Sequence, residues 1–408
     1  MAAKVLHILS QRPSQTGSGI TLDALVRHAA FAGWEQRVVV GVPFDDPHPE
    51  VGGLDSSQIH PLVFEQNDLG FPVPGMSDVM PYCSSCFSGL TVDQLKAYRR
   101  AWRTHFGHVI NDFSPDLIHA HHVWLLSSMM KDIAPEIPVL VQCHATGFRQ
   151  MELCPHLADE VIAGVRRVER FAVLHEDHAD RLSDVLQVPS ERIHIVGAGY
   201  RDDLFHACDR REPPEPRLLY IGKYSAAKGV PWLLDAFERL LLHMPEAQLH
   251  IAGSGAGEEA EEIRNRMNAL APAVVMHGQV SQSELAALMR QCTVCVLPSF
   301  YEGVPLVLVE AAACGCRLVS TALPGVVNHL KPQLGPALTL VEPPRMKTVD
   351  IPRSEDLPIF VERLTKAMIE SLQSGSVVNE PIDLQTFNWK AVFGRVAAIW
   401  RSLLDRPD

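Results

Sequence analysis

Two glutamates bracket the predicted start of an apolar helix, a setting in which carboxylates are candidates for chemistry. The run 294–298 predicts a buried strand, and Pro305 is expected at the first helical position after it, where its missing N–H costs nothing. The N–H groups of a helix N-terminus and of the loop at Gly303 favour an anion. Because charged side chains are rarely buried without partners, Glu302 and Glu310 indicate a ligand site. The alternative is that Glu302 caps the helix and Glu310 is exposed.

A second loop has the composition of a phosphate site. It spans 222–229, follows another predicted strand, and contains Lys223 and Lys228. Lysine side chains and backbone amides together suit a diphosphate. A surface loop with two solvated lysines agrees equally well with the composition. The glycine-rich loops 15–19 and 252–257 are weak signals for close ligand approach, and a bare turn explains each of them as well.

Histidines and cysteines offer further reactive groups. His144 ends a predicted strand, where a hydrogen-bonded structural role and a catalytic role are both open. Cys83 and Cys86 have the spacing of half a zinc site, and several histidines lie in the range 119–122. No familiar spacing supplies the other half of such a site, so no metal site is predicted.

Strand and helix patterns alternate through both halves of the chain and place these loops after strands. Strands are predicted in the first half at 5–10, 37–42, 117–121, 139–144, 172–175 and 193–196. They are predicted in the second half at 217–222, 248–252, 274–278, 294–298 and 317–321. This alternation predicts an α/β fold with two parallel, Rossmann-like sheets. Two such halves imply an interdomain cleft, with ligands beyond the carboxyl ends of the strands.

The predicted domains are 1–205, 206–385 and a terminal helix, 386–408, which is expected to pack back towards the first domain. A proline-rich run at 210–216 marks the linker. The stretch 43–89 is rich in proline, glycine, aspartate and serine and is predicted to be an irregular insertion.

Composition excludes several classes of function. The 408 residues carry a net charge of −12, which argues against general nucleic-acid binding. No apolar run approaches the roughly 20 residues that span a bilayer. The first ten residues predict a strand rather than a signal peptide. The nine cysteines lie mostly in apolar runs and suit reduced thiols in a cytoplasm. A basic helix at 91–113 leaves peripheral membrane contact open, although a solvated face is favoured.

Taken together, these loops resemble the retaining glycosyltransferases of family 4, which have the GT-B architecture of two facing Rossmann domains. The run 302–305 and Glu310 match the E-x7-E motif of that family. The lysine loop and the glycines at 253 and 255 support the likeness, as do the run 115–121 and His144 in the first half. The resemblance covers nearly the whole chain apart from 43–89.

The resemblance implies a role for each matching residue. The implied catalytic residues are Glu302, His144 and Lys228. The implied donor-binding residues are Gly17, Gly19, Lys223, Lys228, Gly253, Gly303, Val304, Pro305 and Glu310. Lys223 and Lys228 would bind the diphosphate, Glu302 the sugar hydroxyls and Glu310 the ribose. Val304 stands where the family commonly has an aromatic residue. Lys223 stands where the family often has an arginine. Both departures leave the donor less certain than the activity.

The function expected on this basis is transfer of a hexose-type sugar from a nucleotide-diphosphate sugar, with UDP as the expected nucleotide. No metal or other cofactor is required in such a reaction, and the acceptor (a saccharide, a lipid-linked sugar or a small metabolite) is left open. Two alternatives remain at this stage. One is a sugar-nucleotide epimerase or hydrolase of the same fold, and the other is a non-catalytic nucleotide-sugar sensor.

Overall fold

The computed structural model describes residues 3–13, 16–77, 80–208, 210, 215–255, 257–348, 350–374 and 382–405. The chain forms two compact units. The first comprises Met1–Gly199 with Trp389–Asp408, and the second comprises Tyr200–Asn388. Of the linker predicted at 210–216, residues 211–214 lie outside the described part of the chain.

The first unit is built on a seven-stranded parallel sheet with the order β3-β2-β1-β6-β7-β8-β9. Its strands are β1 (Lys4–Leu9), β2 (Glu35–Val42), β3 (Ile59–Val63), β6 (Leu117–His121), β7 (Val139–Gln142), β8 (Arg170–Val173) and β9 (Ile193–Ile195). A separate parallel pair consists of β4 (Pro74–Gly75) and β5 (Ser85–Cys86). The strands of the large sheet are mostly apolar, as expected for a parallel sheet that is buried on both faces.

Helices cover this sheet. They are α1 (Gly17–Phe31), α2 (Val92–Phe113), α3 (Leu125–Ser128), α4 (Met130–Ile133), α5 (Ala145–Leu153), α6 (Pro155–Val165), α7 (Glu176–Leu186) and the C-terminal α14 (Trp389–Leu404). Helix α14 packs on α1 and buries Trp400 completely. Its apolar positions repeat at helical spacing, which gives the helix one face to bury in the core of this unit.

The stretch 43–89 is more ordered than the sequence predicts. It contributes β3, which pairs with β2 at the edge of the large sheet, as well as the β4–β5 pair. Phe64 and Phe87 from this stretch are fully buried against Tyr98 of α2. Turn-forming residues dominate its composition and obscure the short apolar runs that form these contacts.

The second unit contains a six-stranded parallel sheet with the order β12-β11-β10-β13-β14-β15. Its strands are β10 (Arg217–Ile221), β11 (Gln248–Ala252), β12 (Val274–Gly278), β13 (Val294–Leu297), β14 (Arg317–Thr321) and β15 (Leu338–Val341). Its helices are α8 (Val230–Leu241), α9 (Glu258–Ala269), α10 (Gln282–Arg290), α11 (Leu306–Ala313), α12 (Lys331–Leu334) and α13 (Leu357–Gln373). Within the described part of the chain, no helix combines the length and apolarity needed to cross a membrane.

In both sheets the strand order reverses beside the first strand. The reversal lies between β1 and β6 in the first unit and between β10 and β13 in the second. Open α/β sheets bind ligands outside the carboxyl ends of the strands at such a point. The loops that follow these four strands are therefore the places to examine for function.

Candidate functional site

The loops after β10 and β13 lie against each other in the second unit. The backbone N–H of Phe300, after β13, donates to the carbonyl of Ala227, after β10, at 3.0 Å. This hydrogen bond joins the two loops that the sequence analysis singled out. It holds the lysine loop and the first glutamate side by side at the point where the strand order reverses.

Lys228 and Glu302 form an ion pair across these loops. The Lys228 Nζ donates to Glu302 Oε1 at 2.7 Å and to the Tyr301 carbonyl at 3.3 Å. Both side chains are partly buried, with 28% of Lys228 and 18% of Glu302 exposed. A cation and a carboxylate that are 74 residues apart in the chain thus share one small region at the end of the sheet.

A glycine permits this close approach. Gly229 follows Lys228 with φ +73°, and a Cβ on it would lie 2.1 Å from the Pro298 carbonyl oxygen. Only glycine fits both the left-handed backbone and this contact. Gly253, after β11, is similarly restricted, because its Cβ would lie 1.9 Å from the Gly222 carbonyl oxygen.

Helix α11 begins one residue later than predicted. Pro305 is its N-cap residue, in an extended conformation, and the helix runs from Leu306. No side chain caps this helix N-terminus. The ψ angle of Pro305, 94°, lies outside the helical region, so the helix starts only at the next residue. Its fixed φ still suits the position just before a helix. The N–H groups of the first turn remain available to an anion.

Glu310 lies in the middle of α11, on a partly buried face of the helix. Burial raises the pKa of its carboxyl to about 7. Among the described residues, its carboxylate has no hydrogen bond or ion pair. A carboxyl group that is desolvated and lacks a partner in the protein is a candidate for binding a ligand with hydroxyl donors.

The other residues predicted for the donor lie around this pair. Lys223 is exposed, and its carbonyl accepts from the Tyr220 hydroxyl at 2.8 Å. Gly303 and Val304 are partly buried in the loop before α11. The Gly303 carbonyl packs closely on Gly325, because a Cβ added to Gly325 would lie 2.0 Å from the Gly303 carbonyl oxygen.

One contact of the lysine loop was not anticipated. The Glu259 carboxylate of α9 accepts from the backbone N–H of Ala226 at 2.9 Å and so fixes the turn before Lys228. The sequence gives no signal for it, because Glu259 is one of several acidic residues in the first turn of α9.

In the first unit, Gly17 and Gly19 belong to a helix rather than to the predicted turn. Helix α1 begins at Gly17, and Thr16 is its N-cap residue, with Thr16 Oγ1 accepting from the Gly19 N–H at 3.1 Å. Gln11, which follows β1, donates to Thr16 Oγ1 at 2.9 Å. A threonine cap outweighs the low helix propensity of two glycines.

His144 lies among other histidines at the carboxyl end of β7. It is the N-cap residue of α5, and its Nε2 is 3.2 Å from His121 Nδ1. Its ring also lies 4.7 Å from that of His122, between centroids. Burial, with a smaller effect of His178, lowers the pKa of His144 to about 3. A neutral imidazole can donate from one nitrogen and accept at the other.

Cys83 and Cys86 remain without evidence of a third ligand. Cys83 is exposed, Cys86 is partly exposed, and both are free thiols. Groups of three or more potential ligand atoms within reach of one ion occur in the described ranges, but neither cysteine belongs to one.

The fold and the placement of these residues define a class. The chain has two Rossmann-like parallel sheets, which is the GT-B architecture predicted from the sequence. A structure of HepE from Anabaena in complex with UDP and glucose matches 98% of this chain and 100% of that one, with a TM-score of 0.63 at 13% identity. That likeness confirms the fold.

Comparison of the sequence identifies the domains. Residues 16–199 match the glycosyl transferase 4-like domain, and residues 215–345 match the domain described as glycosyl transferases group 1. The two halves of the chain are therefore each similar to a glycosyl transferase domain, and these matches support the predicted transferase activity.

Relatives found by sequence are more similar than this structural neighbour, at 28% and 26% identity. Glycogen synthase of Mycobacterium tuberculosis (strain ATCC 25618 / H37Rv) is 28% identical over 52% of this chain and 53% of its own length. The chain thus spans about half the length of that relative. D-inositol 3-phosphate glycosyltransferase 1 of Catenulispora acidiphila is 26% identical over 71% of this chain and 73% of its own.

Proposed function

We propose that this chain is a retaining glycosyltransferase of family 4. It transfers a hexose-type sugar from a nucleotide-diphosphate sugar, with UDP as the nucleotide, to an acceptor hydroxyl. The observation that carries the proposal is the Lys228–Glu302 pair, with a separation of 2.7 Å, between the carboxyl ends of β10 and β13. The E-x7-E spacing then adds Glu310 on the helix that follows.

Positive charge at this edge of the sheet suits the departing diphosphate. Cleavage of a sugar–phosphate bond develops negative charge on the phosphate oxygens, and fixed donors lower the barrier when they face that charge. Lys228 and the exposed Lys223 supply the cations in this proposal. The uncapped N-terminus of α11, with the amides of Gly303 and Val304, supplies backbone donors.

The two glutamates divide the rest of the donor between them. Glu302 accepts hydrogen bonds from sugar hydroxyls, and in doing so it holds Lys228 close to the phosphates. Glu310 accepts from the ribose hydroxyls, which compensate its desolvation. These roles need no metal ion, because lysines and a helix N-terminus carry the charge.

The bond changes balance without a cofactor. The bond between the anomeric carbon and the phosphate oxygen breaks, and a bond to the acceptor oxygen forms on the same face. The acceptor proton passes to the departing phosphate oxygen. His144, a neutral imidazole in the first unit, contacts the sugar near the anomeric carbon in this proposal.

The nucleotide and the acceptor are supported by the names of similar proteins. HepE was solved with UDP and glucose, which favours a UDP-sugar donor. Glycogen synthase and an inositol phosphate glycosyltransferase both act on hydroxylated acceptors by their names. We propose that the first unit binds the acceptor through the stretch 43–89 and the start of α1 at Gly17 and Gly19.

A donor screen tests this proposal. UDP-, GDP- and ADP-sugars are added to the full chain, and the thermal transition is followed, since a ligand that binds the folded state raises it. The donor that stabilises is then incubated with pools of saccharides, lipid-linked sugars and small polyols. We expect stabilisation by a UDP-sugar, slow turnover without acceptor, and an α-linked product from an α-linked donor by NMR.

The other outcomes of this screen would each support a different function or none. Rapid hydrolysis or epimerisation of the donor alone would indicate a sugar-nucleotide hydrolase or epimerase. Tight binding without turnover across all acceptor pools would indicate a sensor. No stabilisation by any nucleotide sugar would overturn the proposal.

A further inference from the structure

Three buried histidines face one another in the first unit. His7 of β1 stands beside His119 of β6 in the parallel register, and His121 follows two residues on. Side chains two apart in a strand point to the same face, so the three imidazoles share one side of the sheet. Each is at most 1% exposed.

Their ring nitrogens converge. One nitrogen from each of His7, His119 and His121 lies within 4.8 Å of the others. Histidine rings in a core are ordinarily held by hydrogen bonds to both nitrogens, because an unmet polar atom there is costly. Here four nitrogens have no hydrogen-bond partner in the part of the chain that the structure describes: His7 Nδ1, His119 Nδ1, His119 Nε2 and His121 Nε2.

The proton on His7 can be located from its neighbours. The Gln36 amide nitrogen donates to the Val26 carbonyl at 3.0 Å, so Gln36 Oε1 is the atom that faces His7 Nε2, also at 3.0 Å. An amide oxygen only accepts, so His7 Nε2 carries the proton. His7 Nδ1 therefore presents a lone pair into the cluster.

His121 has an outer partner as well, and an acceptor atom lies beside His119. His121 Nδ1 lies 3.2 Å from His144 Nε2, which leaves His121 Nε2 facing the cluster. Gln142 Oε1 is buried without a hydrogen-bond partner and lies beside His119 in the fold. A partner behind an imidazole, as at His7 and His121, is the arrangement that orients metal-binding histidines, because it fixes the proton on the outer nitrogen.

An aromatic ring closes the cluster. The Trp400 indole of α14 packs edge-on against His7 and His119, with centroid separations of 5.6 Å to each. No carboxylate belongs to this group of potential ligands. Imidazoles alone, in an apolar setting, suit zinc and the other late first-row divalent ions rather than magnesium or calcium.

We propose that His7 Nδ1, His121 Nε2 and one nitrogen of His119 bind a late first-row transition-metal ion, with zinc as the expected ion, inside the first unit. Bond lengths of about 2.0–2.1 Å require the three nitrogens to lie closer together than the 4.8 Å within which they are found. The ion ties β1 to β6 and, through His121, sets which nitrogen of His144 is protonated. It takes no part in the sugar transfer proposed above and stands independently of it.

Metal content tests this site. The full chain is produced with added zinc, passed over a chelating column to remove surface-bound ions, and analysed by mass spectrometry for metal per chain. We expect about one ion per chain in the unaltered protein and in His250→Gln, and almost none in His119→Gln or His121→Gln. His250 is a matched control, because it is a buried histidine whose two ring nitrogens face His277, at 2.9 Å, and Gln248, at 3.3 Å.

A second experiment uses cobalt in place of zinc as a spectroscopic probe. It is carried out on the unaltered chain, so its result does not depend on whether the variants fold. The unaltered chain is unfolded with chelator and refolded with Co²⁺. The proposal predicts visible ligand-field bands of a four- or five-coordinate nitrogen site without a thiolate charge-transfer band. Absence of the visible bands, retention of the ion in a folded His119→Gln variant, or a thiolate band from cysteines would each overturn it.

Discussion

Lys228 and Glu302 neutralise each other before any donor binds, and the proposed chemistry requires that pair to be shared with a substrate. The separation of 2.7 Å makes this a charge-assisted hydrogen bond. A diphosphate that binds Lys228 competes with Glu302 for the hydrogen bonds of the Lys228 ammonium. Sugar hydroxyls then donate to Glu302 and replace the hydrogen bond that it loses. The same two side chains thus recognise both parts of the donor.

Removing either charge should slow transfer. We expect Lys228→Met and Glu302→Gln to lower kcat by roughly 100- to 1,000-fold, the loss typical of one group that stabilises transition-state charge. Initial rates with a saturating donor measure the effect. Lys366→Met is the control, since its ion pair with Glu370, at 3.8 Å, lies on the exposed face of α13. Near-normal rates in Lys228→Met would refute its role.

Glu310 should make donor binding depend on pH near neutrality. Its pKa is about 7, so the carboxyl is protonated below that value and ionised above it. Ribose hydroxyls bind the carboxylate better than the acid, so donor affinity should fall as the pH drops from 8 to 6. Titration calorimetry across this range measures it. Glu310→Gln should remove the pH dependence, and a persisting dependence would assign it to another group.

The same residue should affect stability with the opposite sign. A folded-state pKa raised from 4.5 to about 7 means that the folded chain holds a proton longer than the unfolded chain does. Stability without donor therefore falls as pH rises between these values. Glu310→Gln should stabilise the donor-free protein at pH 8 by roughly 1–3 kcal/mol, discounted because the side chain is only partly buried. Urea unfolding with and without the substitution tests this prediction.

Sequence reasoning singled out the residues that we propose for the donor site, but not all of their neighbours. Glu302 and Glu310 were conspicuous because acids are costly in an apolar segment. The hydrogen-bonded contact of Lys228 with Glu302 depends on the pairing of β10 with β13, which spacing alone does not give. The convergence of His7 with His119 was missed for the same reason, since it follows from the pairing of β1 with β6.

At the scale of elements, loop geometry decides where Lys228 points. Gly229 occupies the left-handed region and ends the short turn that carries this lysine. The strand pattern and the capping box at Ser281 were predictable, because local periodicity and capping residues encode them. Helix α1 begins at Gly17, inside the predicted glycine-rich loop, and α11 begins one residue after the predicted Pro305, since glycine and proline mark a helix start without fixing its first residue.

Gly229→Ala should disturb the donor loop, whereas Gly257→Ala should not. Both glycines have positive φ, at +73° and +86°, so the strain of a left-handed alanine, roughly 1–2 kcal/mol, is common to both. Only at Gly229 would the new Cβ also meet a backbone oxygen, that of Pro298. We expect the donor KM to rise about tenfold or more in Gly229→Ala alone. Equal KM values in the two variants would contradict this account of the turn.

At the scale of the molecule, the chain returns to its first unit at the end. Helix α14 contributes Trp400 and its neighbours to the core around β1 and β6. The sequence predicts a terminal helix that packs back towards the first domain, but the elements that it meets there, such as α1 and β6, follow only from the structure. The chain is thus divided into a discontinuous first unit and a continuous second one.

Truncating Trp400 should therefore loosen the first unit only. Trp400→Ala should cost roughly 3–5 kcal/mol, the usual penalty for removing a fully buried large aromatic side chain. Hydrogen exchange should become faster in β1, β6 and α1, with little change in β10 to β15. Faster exchange throughout the second unit would show that the units do not respond independently.

The most direct test of the central claim is titration of UDP into the unaltered chain, Lys228→Met and Lys366→Met, followed by calorimetry. Loss of a hydrogen bond to a charged group costs about 1.5–3 kcal/mol. Lys228→Met should therefore raise the Kd for UDP by roughly 10- to 150-fold. Lys366→Met should leave it unchanged. Equal affinity in all three proteins, or no binding of UDP to the unaltered chain, would contradict a nucleotide-sugar site at Lys228 and Glu302.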